Sequence, residues 1–447
     1  ANQYGSFSTS FTVDVQVYGT TTITVSGASA ATNVFFILPE VVSVVPTTGT
    51  VGTIVTVAGT GYATDDVVTI GFGTNASIQT AIASQYGSFT ATWTVDTQAY
   101  GTTTIKAVGV AAAYSRYFIL PEVVSVQPTS GTVGTIVTVA GTGYAATDAV
   151  TIAFGINASI QTTVASQHGS FTATWTVDTQ QYGTTTITIS GATTSGVSVA
   201  TNRFVILPEL YSVLPTSGTV GTIVTISGTG YEANDSIIVA FGNNSNIQQT
   251  TADMCGWFTA IWTVDTQVYG TTTITANGTT TSGVSVVAGN VFNILPEVVS
   301  VQPTSGTVGT IVTISGTGYE AMDDITVAFG TNNNIQQAAA SQQGTWTCSF
   351  AVDTQAYGTT TITVSGTITS GIIAATNVFF ILPEVVSVQP ASGTVGTIVT
   401  VAGTGYAATD AVTIAFGINA SIQTTVASQH GSFTATWTVD TQQYGTT

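Results

Sequence analysis

Basic side chains are almost missing from this sequence. Lys106, Arg116 and Arg203 stand against 21 acidic residues, a formal net charge of −18 over 447 residues. Phosphate backbones and anionic lipid surfaces are gripped by clustered Lys and Arg, so neither nucleic acid nor an anionic membrane is an expected partner. Charge of either sign is scarce, at 5% of residues against roughly 25% in ordinary soluble domains. Salt bridges therefore cannot hold the fold, and burial with backbone pairing must. No apolar run approaches the roughly 18 residues of a membrane span, so no insertion of this segment is expected. Cysteine is limited to Cys255 and Cys348. Cys348 alternates with Trp346 and Phe350, which reads as a buried, inert thiol.

Proline is confined as well. All ten prolines fall in one recurring segment, two per copy and seven residues apart: Pro39/Pro46, Pro121/Pro128, Pro208/Pro215, Pro296/Pro303 and Pro383/Pro390. The leucine before each first proline (Leu38, Leu120, Leu207, Leu295, Leu382) returns at steps of 82, 87, 88 and 87 by subtraction. That period overrides the prior of about three domains that length alone gives. It divides the chain at 1–37, 38–119, 120–206, 207–294, 295–381 and 382–447. The two cysteines lie in different repeats, which excludes a disulfide within one domain. Because proline lacks a backbone donor, each pair should bracket a strand at a sheet edge. Apolar residues such as Val34-Phe-Phe-Ile-Leu38 run straight into the first proline, so the last strand of one repeat should feed the first strand of the next without a linker.

The repeat from Leu120 predicts seven strands: 121–128, 135–140, 150–154, 159–164, 170–177, 184–190 and 202–206. Thr129-Ser-Gly-Thr-Val-Gly134 reads as a turn. Phe171, Ala173, Trp175 and Val177 alternate on one face with Thr on the other. Short alternating strands with turns about every ten residues describe an all-β, antiparallel sandwich, and no helix is expected. The Phe/Trp pair of the fifth strand recurs as Phe89/Trp93 and Phe433/Trp437, and reverses to Trp346/Phe350 with core volume conserved. In the repeat from Leu207 the pair reads as Trp257 and Trp262 with one extra residue, which predicts a bulge. Residues 1–21 align with 427–447, so strand five falls at both ends of the sequence. Either the chain is a window on a longer tandem array, or subunits complete one another head to tail by strand exchange. Pro121–Thr185 and Pro383–Thr447 differ only at Thr129/Ala391, as recent duplication of a regular array would leave them.

Catalytic patterns are lacking. His168 and His430 occupy one repeat position before a turn glycine, with no recurring Ser or Cys partner. No zinc, paired-cysteine or phosphate-loop motif occurs, and the Gly-Thr-Gly-Tyr turn lacks the helix a nucleotide site requires. The reading is not an enzyme, and no cofactor is expected. Acidic residues gather at three phases: Glu40, Glu122, Glu209, Glu297 and Glu384 after the first proline; Asp66, Asp148, Asp235, Asp324 and Asp410 after strand two; and Asp14, Asp96, Asp178, Asp265, Asp353 and Asp440 after strand five. One junction brings together Asp178, Glu209 and Asp235 as a candidate interdomain Ca²⁺ site, since calcium takes oxygen ligands; solvated loop carboxylates are the alternative. Asn-x-Ser/Thr recurs at Asn75, Asn157, Asn243 and Asn419 in the loop after strand three, with Asn234 and Asn277 elsewhere, making these candidates for N-glycosylation.

The segment Pro128-Thr-Ser-Gly-Thr-Val-Gly-Thr-Ile-Val-Thr-Val-Ala-Gly-Thr-Gly-Tyr144 resembles the opening of IPT/TIG immunoglobulin-like repeats. Gly169-Ser-Phe-Thr-Ala-Thr-Trp-Thr-Val177 and Gly183-Thr-Thr-Thr-Ile-Thr-Ile189 resemble the second half of such repeats in bacterial and archaeal surface proteins. The likeness covers every repeat. It implies a tandem array of seven-stranded immunoglobulin-like β-sandwiches forming an extended rod, placed outside the cell. Val177-Asp-Thr-Gln-Gln-Tyr182 stands where many of those repeats carry prolines, so this loop should have a local purpose. The expectation is a structural, non-catalytic subunit of an extracellular filament, stalk or surface layer, with copies of itself as partners, head to tail or laterally. The alternative is an adhesin stalk or glycan-binding surface protein; that reading wants an atypical domain exposing aromatics, and none is evident in the sequence.

Overall fold

The computed structural model describes residues 1–194, 200–281, 286–369 and 375–441. The chain falls into two compact units, Ala1–Leu207 and Pro208–Thr447. The first contains the repeats 38–119 and 120–206 after a terminal hairpin, and the second contains 207–294, 295–381 and 382–447. Among the described residues every regular element is a strand.

The repeat 120–206 serves as the pattern. Its strands are β1 (Glu122–Gln127), β2 (Ser130–Gly131), β3 (Ile136–Thr142), β4 (Ala149–Phe154), β5 (Asn157–Val164), β6 (Phe171–Thr176), β7 (Gly183–Gly191) and β8 (Ala200–Ile206). One sheet has the order β1-β3-β6 and the other β2-β8-β7-β4-β5, an immunoglobulin-like sandwich. β1 is an edge strand, where the bracketing prolines lose no ladder bond. The expected antiparallel strands are all present, with one addition. The turn after Pro128 contains β2, which crosses to the second sheet and pairs parallel with β8, Ser130 opposite Val205 and Gly131 opposite Ile206. Two residues are too few to show alternation, which is why this strand reads as a turn in sequence.

Alternation places the core. Phe171, Ala173 and Trp175 of β6 point inward while their threonine neighbours stay exposed, and they meet Val137, Val139, Val150, Ile152, Phe154, Ile187, Ile189, Phe204 and Ile206. Phe154 lies at the centre, with ring centroids 5.8 Å from Trp175 and 5.7 Å from Phe204. Each fully buried side chain of this size contributes about 2 kcal/mol, and the cluster itself is entirely hydrophobic. In the repeat 295–381 the swapped pair fills the same volume, Trp346 against Tyr319 and Phe350 against Phe329.

The repeat 207–294 departs from the sequence reading. Its sixth strand, Phe258–Thr263, pairs with Ile223–Thr229 in unbroken register from Gly228/Phe258 to Ile223/Thr263. The buried pair is Phe258 and Trp262, so there is no bulge in this strand and Trp257 is not a core residue. Counting from the two tryptophans shifted the phase by one. Breaks in register do occur elsewhere, between Leu210 and Ser212 and between Val239 and Phe241, at the same places in the other complete repeats.

The terminal repeats are less paired. Gly19–Ser26 and Ala30–Ile37 form a two-stranded sheet, and the expected strand five is not formed there: Phe7 is 58% and Phe11 66% exposed. A strand without its neighbour has no ladder to join. In the last repeat, among the described residues, Ala411–Phe416 pairs with Asn419–Val426, and Ile414 is half-buried where its counterpart Ile152 is fully buried.

Candidate functional site: loop carboxylates and repeat junctions

The turn after β3 is anchored by a tyrosine. Tyr144 is buried with its ring edge-on to Phe171 at 5.0 Å. In the repeats 38–119 and 207–294 the equivalent hydroxyls of Tyr62 and Tyr231 donate to the carbonyls of Ala107 and Ala276. Burial, reinforced by the adjacent Asp66 or Asp148, pushes the Tyr62 and Tyr144 hydroxyls up to about 12.

Four residues on from the tyrosine, an aspartate turns inward. Asp235 is 3% exposed and accepts four hydrogen bonds from the loop after Gly278: Thr279 Oγ1 and the Thr280 and Thr281 N–H groups at 2.9 Å each, and Thr281 Oγ1 at 2.5 Å. Thr281 Oγ1 in turn accepts the Glu232 N–H, so one hydroxyl joins the two loops. Asp148 is bound likewise by Thr193 and Thr194, and Asp323 by Thr367, Ile368 and Thr369. Burial pushes these carboxyls up, but the hydrogen bonds outweigh it and hold all three below the usual carboxylate range. The residue in this role is Asp323, not the Asp324 suggested by spacing; Asp324 opens the following strand. Gly191 faces the Asp148 carboxylate so closely that a Cβ there would collide with it.

At the opposite pole, the loop after β6 fastens the β4–β5 hairpin, which is the local purpose of its unusual sequence. Gln180 is 5% exposed and donates to Asp178 Oδ1 at 2.8 Å, while Asp178 Oδ2 accepts from Asn157 Nδ2 at 3.3 Å. The same clasp joins Gln98, Asp96 and Asn75, then Gln267, Asp265 and Asn244, and then Gln355, Asp353 and Asn332.

These contacts account for the candidate residues. For the proposed Ca²⁺ site, Asp235 has both oxygens taken by its own domain and Asp178 serves the clasp, while Glu209 is half-buried at the start of its strand. Among the described residues no group of three or more His, Cys, Asp and Glu is placed to hold a metal. The recurrence of Asn75 and Asn157 has a structural cause, since their amides belong to the clasp. In the third complete repeat that place is held by Asn244, not Asn243, which is exposed. Asn234, Asn277 and Asn419 are exposed as well, Asn234 with φ near +60°. His168 and His430 are exposed turn residues. Cys348 is buried, and burial pushes its thiol up.

Within each unit, consecutive repeats share a recurring backbone hydrogen bond. The Tyr100 N–H donates to the Tyr144 carbonyl of the next repeat at 2.8 Å, and Tyr18 to Tyr62 at 3.0 Å. In the second unit Tyr269 donates to Tyr319 and Tyr357 to Tyr406. Gly169, at φ +76°, lies against this contact; a Cβ there would strike the Tyr144 carbonyl and come 3.0 Å from Ala99 Cα of the preceding repeat. Only Leu120 and Pro121 separate β1 from the last strand of the preceding repeat, which ends at Ile119.

One surface differs from its counterparts. Tyr211 and Trp257, with centroids 5.5 Å apart and planes at 54°, form an aromatic pair on the outside of the repeat 207–294. Tyr211 is 62% exposed. A core position for Trp257, as the tryptophan spacing suggests, hides this pair; its signal in the sequence is Tyr and Trp at the phases held by Val124 and Ser170.

No family model matches the chain, and no curated protein sequence matches it. Among solved structures it is similar to the N-terminal eight Ig domains of Down Syndrome Cell Adhesion Molecule, at 12% identity and TM-score 0.19 over 96% of this chain and 64% of that one. It therefore spans just under two thirds of that protein's chain. It is also similar to the D1–D4 ectodomain fragment of ICAM-5, at 14% identity and TM-score 0.20 over 76% of this chain and 99% of that one. Invasin, a bacterial integrin-binding protein, matches at 13% identity and TM-score 0.21 over 80% of this chain and 81% of that one. At such scores these likenesses carry no argument about function, and the immunoglobulin-like assignment rests on the chain's own paired sheets.

Proposed function

We propose that this chain is a structural, non-catalytic part of an extracellular filament, stalk or surface layer, built from stiffly coupled immunoglobulin-like repeats. The observation that carries the reading is the junction: the same tyrosine N–H to tyrosine carbonyl bond recurs at four places, with two residues between consecutive sandwiches. Such coupling resists bending, and near-identical repeats make a regular array. The loop carboxylates support the same reading because they fasten loops of their own domains. The resemblance of the 128–144 segment to IPT/TIG repeats agrees with a place on the cell surface, as do exposed sequons at Asn243, Asn277 and Asn419. The expected partners are further copies, joined head to tail or side by side. Negative-stain images of the purified protein test this: ordered fibres or sheets at high concentration are expected, and discrete unassociated particles at every concentration overturn it. The Tyr211–Trp257 pair favours a second reading, in which the array also carries an adhesive surface.

A further inference from the structure

The turn before Phe258 differs from its equivalents in a way that leaves a side chain free for another task. In the repeat 120–206 the turn is tied by two hydroxyls: Ser166 Oγ lies 2.8 Å from Ser170 Oγ and accepts the N–H groups of His168 and Ser170. The same arrangement recurs at Ser84/Ser88, Ser341/Thr345 and Ser428/Ser432. In the repeat 207–294, Asp253 replaces the first serine, and its Oδ1 alone accepts the N–H groups of Cys255 and Trp257, at 2.8 and 3.0 Å. Position 257 is thereby released from tying the turn, and it carries the largest side chain available. The fold does not need it there, since the core of this repeat is complete with Phe258, Ala260 and Trp262.

Three neighbouring changes enlarge the same sheet face. Tyr211 stands at the break in register between Leu210 and Ser212, where the other repeats have Val42, Val124, Val299 and Val386. Ile261, 54% exposed, replaces Thr174, and Leu214, 65% exposed, replaces Gln127. Exposed apolar patches rimmed by polar residues commonly serve as binding surfaces, and here the residues exceed in size those at most equivalent positions. Its electrical character narrows the ligand. Lys106, Arg116 and Arg203 all precede residue 208, so the second unit has no Lys or Arg with which to hold an anion. The carboxylate of Asp253 is tied directly to the pair by the Trp257 N–H, and no hydrogen bond to its Oδ2 is present among the described residues.

We infer that Tyr211 and Trp257 form a binding platform for a neutral saccharide. The apolar C–H face of a pyranose stacks on the two rings, whose amphipathic edges suit a half-wet surface, and Asp253 Oδ2 accepts from a ring hydroxyl. A cationic partner fits less well, because one carboxylate beside an aromatic and aliphatic face adds little to the general attraction of a chain of charge −18. The inference rests on the adhesive reading above and is separable from the filament. A chain that binds sugar without forming fibres leaves it standing, and fibres without sugar binding do not rescue it.

The test is affinity electrophoresis of the full chain in native gels containing laminarin, mannan, dextran or xylan. The comparison is with a Tyr211→Val, Trp257→Ser double variant, which restores residues found at these positions in other repeats. Retardation of the native chain by at least one polysaccharide, with affinity reduced about tenfold or more in the variant, is expected. No retardation in any gel, or equal retardation of both proteins, overturns the proposal. So does a variant that changes only the sedimentation coefficient, because the face would then be a contact between copies. Unchanged thermal unfolding of the variant checks that the fold is retained.

Discussion

Asp66 and Asp235 occupy the same place in two repeats, four residues past the buried tyrosine, yet they are held differently. Asp235 accepts four hydrogen bonds from the loop between the last two strands of its repeat. Asp66 accepts one, from the Val110 N–H at 2.8 Å. The difference lies in that loop. From Gly101 to Ile119 the chain is five residues shorter than from Gly183 to Ile206, and the threonines that surround the longer repeats' aspartates are missing. An inward carboxylate is therefore not a stabilising feature in itself. It becomes one when a second loop, about 45 residues later, supplies hydroxyls and amides that would otherwise face the interior unpaired.

Removing the carboxylate where it is fully engaged should have the largest effect. Asp235→Ala leaves the Thr280 and buried Thr281 amides and two hydroxyls without their acceptor and should cost the 207–294 repeat about 3–5 kcal/mol, read as a low-temperature shoulder in calorimetric unfolding. Acid should separate the repeats next. The folded carboxyls of Asp148, Asp235 and Asp323 lie below the unfolded value of about 3.9. Their contribution is therefore complete above about pH 4 and is lost as pH falls through the folded value. Unfolding temperatures of these three repeats should hold from pH 7 to 4 and decline below it.

A smaller effect is expected at the junction. Gly169→Ala forces a side chain into a left-handed backbone and against the Tyr144 carbonyl, at a cost of about 2 kcal/mol. Hydrogen exchange at the Tyr100 amide should accelerate while the amides of β3 keep their protection. Asp66→Ala should be mildest, at about 1 kcal/mol for one lost hydrogen bond. A loss as large as that of Asp235→Ala would show that loop length is not what distinguishes the two repeats.

Much of the fold was legible in the sequence because period-two alternation, glycine turns and paired prolines all report on local structure. Phe171, Ala173 and Trp175 could be assigned to the core without coordinates. The errors arose where the signal was short or ambiguous in phase. Ser130–Gly131 is too brief to alternate. Two tryptophans drew the frame of Phe258 off by one residue, and adjacent Asp323 and Asp324 could not be separated by spacing. The carboxylates were found as recurring positions but not as fasteners, since their partners lie on another loop distant in sequence. Only packing shows that Asp235 meets Thr281 and that Tyr211 meets Trp257 across an intervening strand.

Residue-resolved hydrogen exchange on the full chain tests the account most directly. The amides of Thr280, Thr281, Ile368 and Thr369, each donated to a buried aspartate, should exchange at least tenfold more slowly than the Val110 amide of the short loop, a gap of about 1.4 kcal/mol. Equal protection of Val110 and Thr281 would contradict the claim that the long loops are fastened through their aspartates.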